Sequence, residues 1–489
     1  MNTPVRRIAV AVMGMILLLM ANLTYVQVVK ADDYRSDPRN QRVLLAEYSR
    51  KRGQISAAGE VLANSVETND RLRYQRKYPD GPMYAAVTGY YSVIYSSSGL
   101  ERAADNVLNG SDDRLFARRL SDLITGRDPS GGNVVTTIEP IVQETAYKQL
   151  ADRGYAGAVV ALDPKTGAIL AMVSTPSYDP NRLASHNSEE QRRAWAEYTE
   201  ADPPVLRNRA ISETYPPGST FKLIDVAAAL QHGYTPESPV TAASEITLTG
   251  TNTTLRNFAG TPCGTGPTAT LADALARSCN TAFAELVAAL GEDVLRQQAA
   301  AFGIGSTDLA IPMRVAQSTL GDIPDVAALQ QSAIGQRDVR VTPLQNAMIA
   351  AAIANGGEVL APYLIKEVQG PDLETIDVTQ PDRLGRAIPS NVARMITQMM
   401  IASENRTQGG GRITGVQIAS KTGTAEHGVD PERTPPHNWY VAFAPAENPQ
   451  VAVAVLVENG GDRSLEATGG SRAAPIGRAV IAAALGSRR

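Results

Sequence analysis

Pro216-Pro217-Gly218-Ser219-Thr220-Phe221-Lys222 is a break in regular structure followed by the start of a helix. The Pro-Pro-Gly run interrupts any preceding element. An apolar helical pattern begins at Phe221 and continues through Leu223, Ile224 and Val226 to Leu230. Ser219 therefore falls at or near a helix N-terminus, with Lys222 one turn later on the same face. A serine hydroxyl is a poor nucleophile until a neighbouring base takes its proton. Lysine can be that base if burial or a nearby cation lowers its pKa, and a helix N-terminus favours the negative charge that develops. A Ser-x-x-Lys quartet arises by chance about once or twice in a chain of average composition. Here it occurs once, and eight of the 46 basic residues are Lys. The plainer reading is an N-cap serine beside a solvated lysine.

Two further patterns sharpen it. Ser278-Cys279-Asn280 lies inside the Ala-rich helical stretch Leu271–Leu290. A Ser hydroxyl can relay a proton to a leaving amine, and an Asn amide can orient a lysine and a substrate carbonyl. Lys421-Thr422-Gly423-Thr424 follows the apolar run Val416–Ala419. Its Lys and Thr can jointly hold a carboxylate, and its Gly lets a substrate backbone approach closely. Each triplet has a decoy, Ser185-His186-Asn187 and Lys165-Thr166-Gly167, the second read as hairpin-turn chemistry.

The order Ser219–Lys222, Ser278–Asn280, Lys421–Gly423, at spacings of 59 and 143 residues, is far more specific than any one pattern. It resembles the serine acyl-transferases that react with penicillin. The resemblance extends to Arg52-Gly53-Gln54-Ile55, Thr136-Thr137-Ile138, Asp163-Pro164-Lys165-Thr166-Gly167, Asn208-Arg209-Ala210, Gly335-Gln336, Val341-Thr342-Pro343-Leu344-Gln345 and Asn438-Trp439-Tyr440. On these residues the chain resembles the class B penicillin-binding proteins over nearly its whole length, with Glu139 in place of a commoner Asp.

Around this centre, helices and strands mix without a βαβ rhythm. That favours an α/β fold of the α+β type, with helices packed on a mainly antiparallel sheet. The resemblance implies the same transpeptidase domain, shared with serine β-lactamases. Ala158–Leu162 and Ala168–Val173 read as a hairpin, Val451–Val457 as a buried strand and Ala473–Leu485 as a terminal helix. Thr342, Pro343, Gln345 and Gly356 punctuate a helix over 341–355 with a capping-box pattern. Pro79-Asp80-Gly81-Pro82 reads as a turn, and Asp128-Pro129-Ser130-Gly131-Gly132 as a linker.

With 489 residues, two to four domains are expected. The formal net charge of −4 advertises no nucleic-acid partner, and two Cys with four His make no zinc-type cluster. Arg6 and Arg7 precede a 22-residue uncharged stretch, Ile8–Val29, long enough to span a membrane. The basic pair places the remainder outside the cytoplasm. A cleaved signal peptide is the rival, disfavoured because no small-x-small site follows. The expected organisation is a cytoplasmic tail (1–7), a transmembrane anchor (8–29), an extended N-terminal dimerisation or pedestal module (30–150) and a transpeptidase domain (151–489). In an exported domain Cys263 and Cys279 can form a disulfide; two buried free thiols are the alternative.

The resemblance implies that Ser219 attacks the penultimate D-Ala carbonyl of a peptidoglycan stem peptide, with Lys222 as general base. Ser278 and Lys421 would relay the proton to the departing D-Ala, and Asn280 would orient Lys222 and the substrate amide. The N–H groups of Ser219 and Thr424 would form the oxyanion hole, Thr422 and Thr424 would hold the carboxylate, and Gly423 completes that strand motif. It further implies covalent inhibition by β-lactams, no metal or cofactor, and a SEDS-type membrane glycosyltransferase and other cell-wall proteins as partners in growth or division. Water-resolved turnover, as in a D,D-carboxypeptidase or β-lactamase, is the rival enzyme; Glu213 before Ser219 reads as a solvent-exposed loop carboxylate. A non-catalytic membrane scaffold is the third reading, which the complete motif set disfavours. His427 and His437 read as surface loop positions, and Trp439 as packing.

Overall fold

The structure, a computed structural model, describes residues 3–30, 48–116, 124–126, 130–428, 430 and 433–487. The C-terminal part is organised by Val451–Val457, seven consecutive apolar, mostly β-branched residues, all buried. Such a run suits a strand covered on both faces. It is the middle strand of a five-stranded sheet in the order Ala419–Ala425, His437–Ala444, Val451–Val457, Gly157–Leu162, Ile169–Thr175. Every pairing is antiparallel, as expected. Helices Pro140–Ala151 and Ala474–Ser487 cover one face, burying Val142, Ala146, Leu150, Ile476, Val480 and Ile481. Helix Pro343–Ala354 covers the other and joins a helical layer that includes Lys222–Gln231, Asn280–Leu290 and Ser390–Arg406.

The N-terminal region is centred on a six-stranded sheet. Its order is Thr375–Val378, Ile365–Gln369, Asn133–Thr136, Ile55–Ala57, Glu60–Glu67, Tyr74–Lys77. Two of these strands come from residues 365–378, far along the chain. Gly53 sits where an added Cβ would run into the Gly132 carbonyl, so only glycine fits that crossing. Arg52 and Arg76 both pair with the fully buried Glu101, at 2.7 and 2.6 Å. Helix Pro140–Ala151, N-terminal to the expected boundary at 150/151, packs on the catalytic sheet.

Helix Thr3–Thr24 continues through Tyr25–Val29, 27 residues long and apolar enough to cross a membrane. It starts at Thr3, ahead of Ile8.

Several local expectations are corrected. Pro79 and Asp80 do form a turn, but Gly81 and Pro82 already belong to helix Gly81–Thr88, with Asp80 at its N-cap and Pro82 in its first turn. Leu271–Leu290 is not one helix but two, Leu271–Arg277 and Asn280–Leu290, broken at Ser278. Thr342 does cap helix Pro343–Ala354 through the Gln345 N–H, but the Gln345 amide donates to the Phe302 carbonyl instead of closing the box. Asp128 and Pro129 of the expected linker lie outside the described residues, as do residues 31–47 of the expected module.

Candidate active site

Three elements converge on Ser219. The first is the turn Gly218–Thr220, leading into helix Lys222–Gln231. Gly218 has φ 53°, and an added Cβ would lie 2.8 Å from the Thr424 carbonyl. The second is the break between Leu271–Arg277 and Asn280–Leu290, where Ser278 takes a left-handed backbone, φ 64°, uncommon outside glycine. The third is Ala419–Ala425, an edge strand that pairs on one side with His437–Ala444.

The side chains form a connected chain. Lys222 Nζ lies 3.0 Å from Ser219 Oγ, 2.8 Å from both the Ser278 carbonyl and Asn280 Oδ1, and 3.5 Å from Ser278 Oγ. Lys421 Nζ approaches the other side of Ser278 Oγ at 2.8 Å and also donates to the Thr422 carbonyl at 2.9 Å. Both lysines are buried. Burial, then the neighbouring Lys421, pushes the Lys222 pKa well below the usual lysine value; Asp225 acts the other way. Burial pulls Lys421 down to about 7. Lys222 thus has the environment of a neutral amine beside a hydroxyl, the arrangement a general base requires.

Ser219, Ser278, Asn280, Lys421, Thr422 and Thr424 all face a cleft of about 960 Å³. Thr422 and Thr424 are two apart on their strand and so share a face. Gly423 has a different task from the one expected. An added Cβ there would lie 2.7 Å from the Pro217 carbonyl and 3.1 Å from the Thr220 methyl. What approaches Gly423 is the protein's own serine turn, which fixes the distance between the two catalytic-motif elements.

A family model described as the penicillin binding protein transpeptidase domain matches residues 157–482. The chain belongs to the penicillin-binding protein transpeptidase family. A second model, the penicillin binding protein A dimerisation domain, matches residues 52–134. Among relatives, the peptidoglycan D,D-transpeptidase PbpA of Mycolicibacterium smegmatis is 59% identical over 488 residues, covering 99% of each chain. The protein of the same name from Mycobacterium tuberculosis is 57% identical, again over 99% of each. The ceftriaxone acyl-enzyme of penicillin-binding protein A from M. tuberculosis superimposes with a TM-score of 0.89 at 56% identity, over 90% of this chain and 100% of that one. The likeness to class B penicillin-binding proteins thus holds over the whole chain, and so does the fold expected of them.

In this penicillin-binding protein several residues support the site, and two of them, Asn257 and Glu404, were not evident from sequence. Asn257 binds the start of helix Asn280–Leu290: its Oδ1 accepts from the N–H groups of Asn280 and Thr281, at 2.7 and 3.1 Å, while its amide donates to the Ala243 carbonyl. Cys263 and Cys279 are bridged, their Cα atoms 5.9 Å apart, which ties the cleft wall to the residue between Ser278 and Asn280. Trp439 is fully buried and its indole N–H donates to the Pro216 carbonyl at 2.9 Å, so its packing also secures the serine turn. Glu404 accepts from Ser420, Tyr440 and Arg478 beneath the Lys421 strand. Only long-range partners reveal the roles of Asn257 and Glu404, which have no local sequence signature, whereas the Cys263–Cys279 bridge and the packing of Trp439 agree with readings made from the sequence.

The decoys resolve as turn and cap chemistry. Lys165 extends from its turn to Asn448, and Asn187 caps helix Ser188–Glu200. Glu213 is half-buried and lies 3.4 Å from Arg207. His437, expected in a surface loop, is instead buried at the start of a central strand, stacked 3.7 Å from His427. Burial, His427 and Arg340 drive its pKa to about 3, so it is neutral.

Proposed function

We propose that this protein is a serine-type peptidoglycan D,D-transpeptidase, inhibited covalently by β-lactams, working in cell-wall synthesis. The observation that carries this reading is the unbroken contact path Ser219–Lys222–Ser278–Lys421 between two buried lysines. Lys222 takes the Ser219 hydroxyl proton as Oγ bonds to the penultimate D-Ala carbonyl carbon. The bond to the terminal D-Ala nitrogen then breaks. That nitrogen receives a proton through Ser278 and Lys421, and D-Ala leaves. An amine of a neighbouring stem peptide attacks the acyl-enzyme and returns Ser219 as a free hydroxyl. The N–H groups of Ser219 and Thr424 stabilise the oxyanion, a contribution of about 100- to 1,000-fold per donor. Thr422 and Thr424 receive the terminal carboxylate, and Asn280 orients Lys222 and the substrate amide.

The proposal extends to organisation. The N-terminal helix is an uncleaved anchor with Arg6 and Arg7 on the cytoplasmic side. The region before the transpeptidase domain is a non-catalytic dimerisation or pedestal module. A SEDS-type glycosyltransferase and other cell-wall proteins contact that module and the anchor. The match of residues 52–134 to a dimerisation domain supports the module's assignment.

The test is labelling of the full chain by a fluorescent penicillin, wild type against Ser219→Ala. A stable covalent band in wild type alone is expected. Absence of the band in folded wild type overturns the enzyme reading, and rapid turnover of a chromogenic cephalosporin would replace it with a β-lactamase.

A further inference from the structure

A cavity of about 650 Å³ lies apart from the Ser219 cleft and shares no lining residue with it. One wall comes from residues 85–103 of the N-terminal region, the other from residues 174–212 and 312–314 of the transpeptidase domain. Its only charged lining residues are Arg102, Arg207 and Arg314, in a chain whose net charge is −4. Arg102 and Arg314 are exposed and make no ion pair or side-chain hydrogen bond among the described residues. Arg207 has Glu213 at 3.4 Å. Like charges around one hollow repel, and a bound anion removes that cost.

The backbone that carries each arginine is fixed. The Ser98 N–H donates to the Tyr90 carbonyl at 3.0 Å, which seats helix Gly99–Ala103 and its Arg102. Ser174 Oγ donates to the Arg207 carbonyl at 3.0 Å, and the Asn208 amide donates to the Ala86 carbonyl at 2.8 Å, joining the two walls. The Ala316 N–H, two residues after Arg314, donates to the Ile211 carbonyl at 2.7 Å. We infer that this cavity is a second peptidoglycan site, which binds a stem peptide through its carboxylates while the Ser219 cleft works on another. The inference rests on the transpeptidase reading above.

Three features select that ligand. A guanidinium binds a carboxylate with two parallel hydrogen bonds, so three arginines suit a chain with several acid groups. The volume is that of a site for an organic molecule, of about 300–1,000 Å³, and a single small anion would leave most of it empty. A second hollow of about 310 Å³ shares Ser212 and Arg314 with the first, so the site is elongated. Tyr178, the one aromatic lining residue, is buried against Tyr90 and Tyr198, so no exposed ring offers a sugar a stacking platform. The peptide of the polymer fits better than its glycan.

The experiment starts by saturating Ser219 of the full chain with benzylpenicillin, which closes the catalytic cleft; loss of fluorescent-penicillin labelling shows that the block is complete. Fluorescence anisotropy at low ionic strength, where charge pairing is least screened, then measures binding of a fluorescein-labelled stem pentapeptide. Saturable binding is expected. Arg102→Gln with Arg314→Gln should weaken it at least tenfold, and so should amidation of the peptide's carboxylates. Thermal unfolding reports whether the variant is folded; Arg314→Glu alone is the second variant and should act in the same direction. Absence of binding to folded wild type, or an unchanged affinity in a folded variant, overturns the inference. Binding of an oligoglutamate peptide without binding of the stem peptide also overturns it, and gives the cavity to an acidic segment of a partner protein. If penicillin does not label Ser219, the transpeptidase reading has failed, and the cavity is tested by the same titration on Ser219→Ala.

Discussion

Lys222 Nζ lies 3.0 Å from Ser219 Oγ and is itself buried, with its nitrogen also bonded to the Asn280 amide oxygen and the Ser278 carbonyl. The geometry holds an amine against a hydroxyl before any substrate binds. Replacing Lys222 by Ala should lower the rate of β-lactam acylation by about 100- to 10,000-fold, the usual span for a general base. Stopped-flow or gel-based labelling at fixed antibiotic concentration measures it. A loss under tenfold would remove Lys222 from that role.

Lys421 offers a pH-dependent prediction. Burial pulls its pKa from 10.5 to about 7 in the folded protein. Between pH 7 and 10.5 the unfolded chain therefore binds more protons there than the folded one. Stability from this site rises with pH across that window and is at its lowest below pH 7, where the buried ammonium must be tolerated. Lys421→Met should accordingly raise the melting temperature more at pH 6 than at pH 10, while sharply reducing acylation. Equal stabilisation at both pH values would show that Lys421 is not carrying a depressed pKa.

Glu404 and Arg478 form a buried pair 2.8 Å apart, with Ser420 and Tyr440 completing the carboxylate. Ser420 is next to Lys421, so the pair fixes the strand that presents it. Arg478→Ala leaves a buried carboxylate without its cation and should cost about 3–5 kcal/mol. The double change Glu404→Leu with Arg478→Met should recover much of that loss. Urea unfolding of the three proteins decides it.

Cys263 and Cys279 are 16 residues apart and bridged. Closing a loop of that length lowers unfolded-state entropy by an amount worth about 3 kcal/mol. Changing both to Ser should reduce stability by up to that figure and loosen the cleft wall, slowing acylation. Thiol titration under denaturing conditions should find no free thiol before reduction and two after. Two thiols in unreduced protein would contradict the bridge.

The sequence by itself determined the buried strand Val451–Val457, the capped helix start at Thr342-Pro343 and the identities of the motif residues. Val451–Val457 could only be a covered strand because all seven residues are apolar, and Thr342-Pro343 starts a helix by capping geometry. Ser219 and Lys222 were legible as a pair because a helix brings residues three apart together on one face. The tertiary structure decided what local pattern does not encode. It broke Leu271–Leu290 at Ser278, where Asn257, 23 residues before Asn280, supplies the bonds that start the second helix. It turned Gly423 toward Pro217 rather than toward the cleft, and completed the N-terminal sheet with residues 365–378. Burial of Lys222 and Lys421, which changes their charge and so their chemistry, exists only when helices and strands far apart in the chain close over them, because desolvation is a property of the packed assembly and not of any segment.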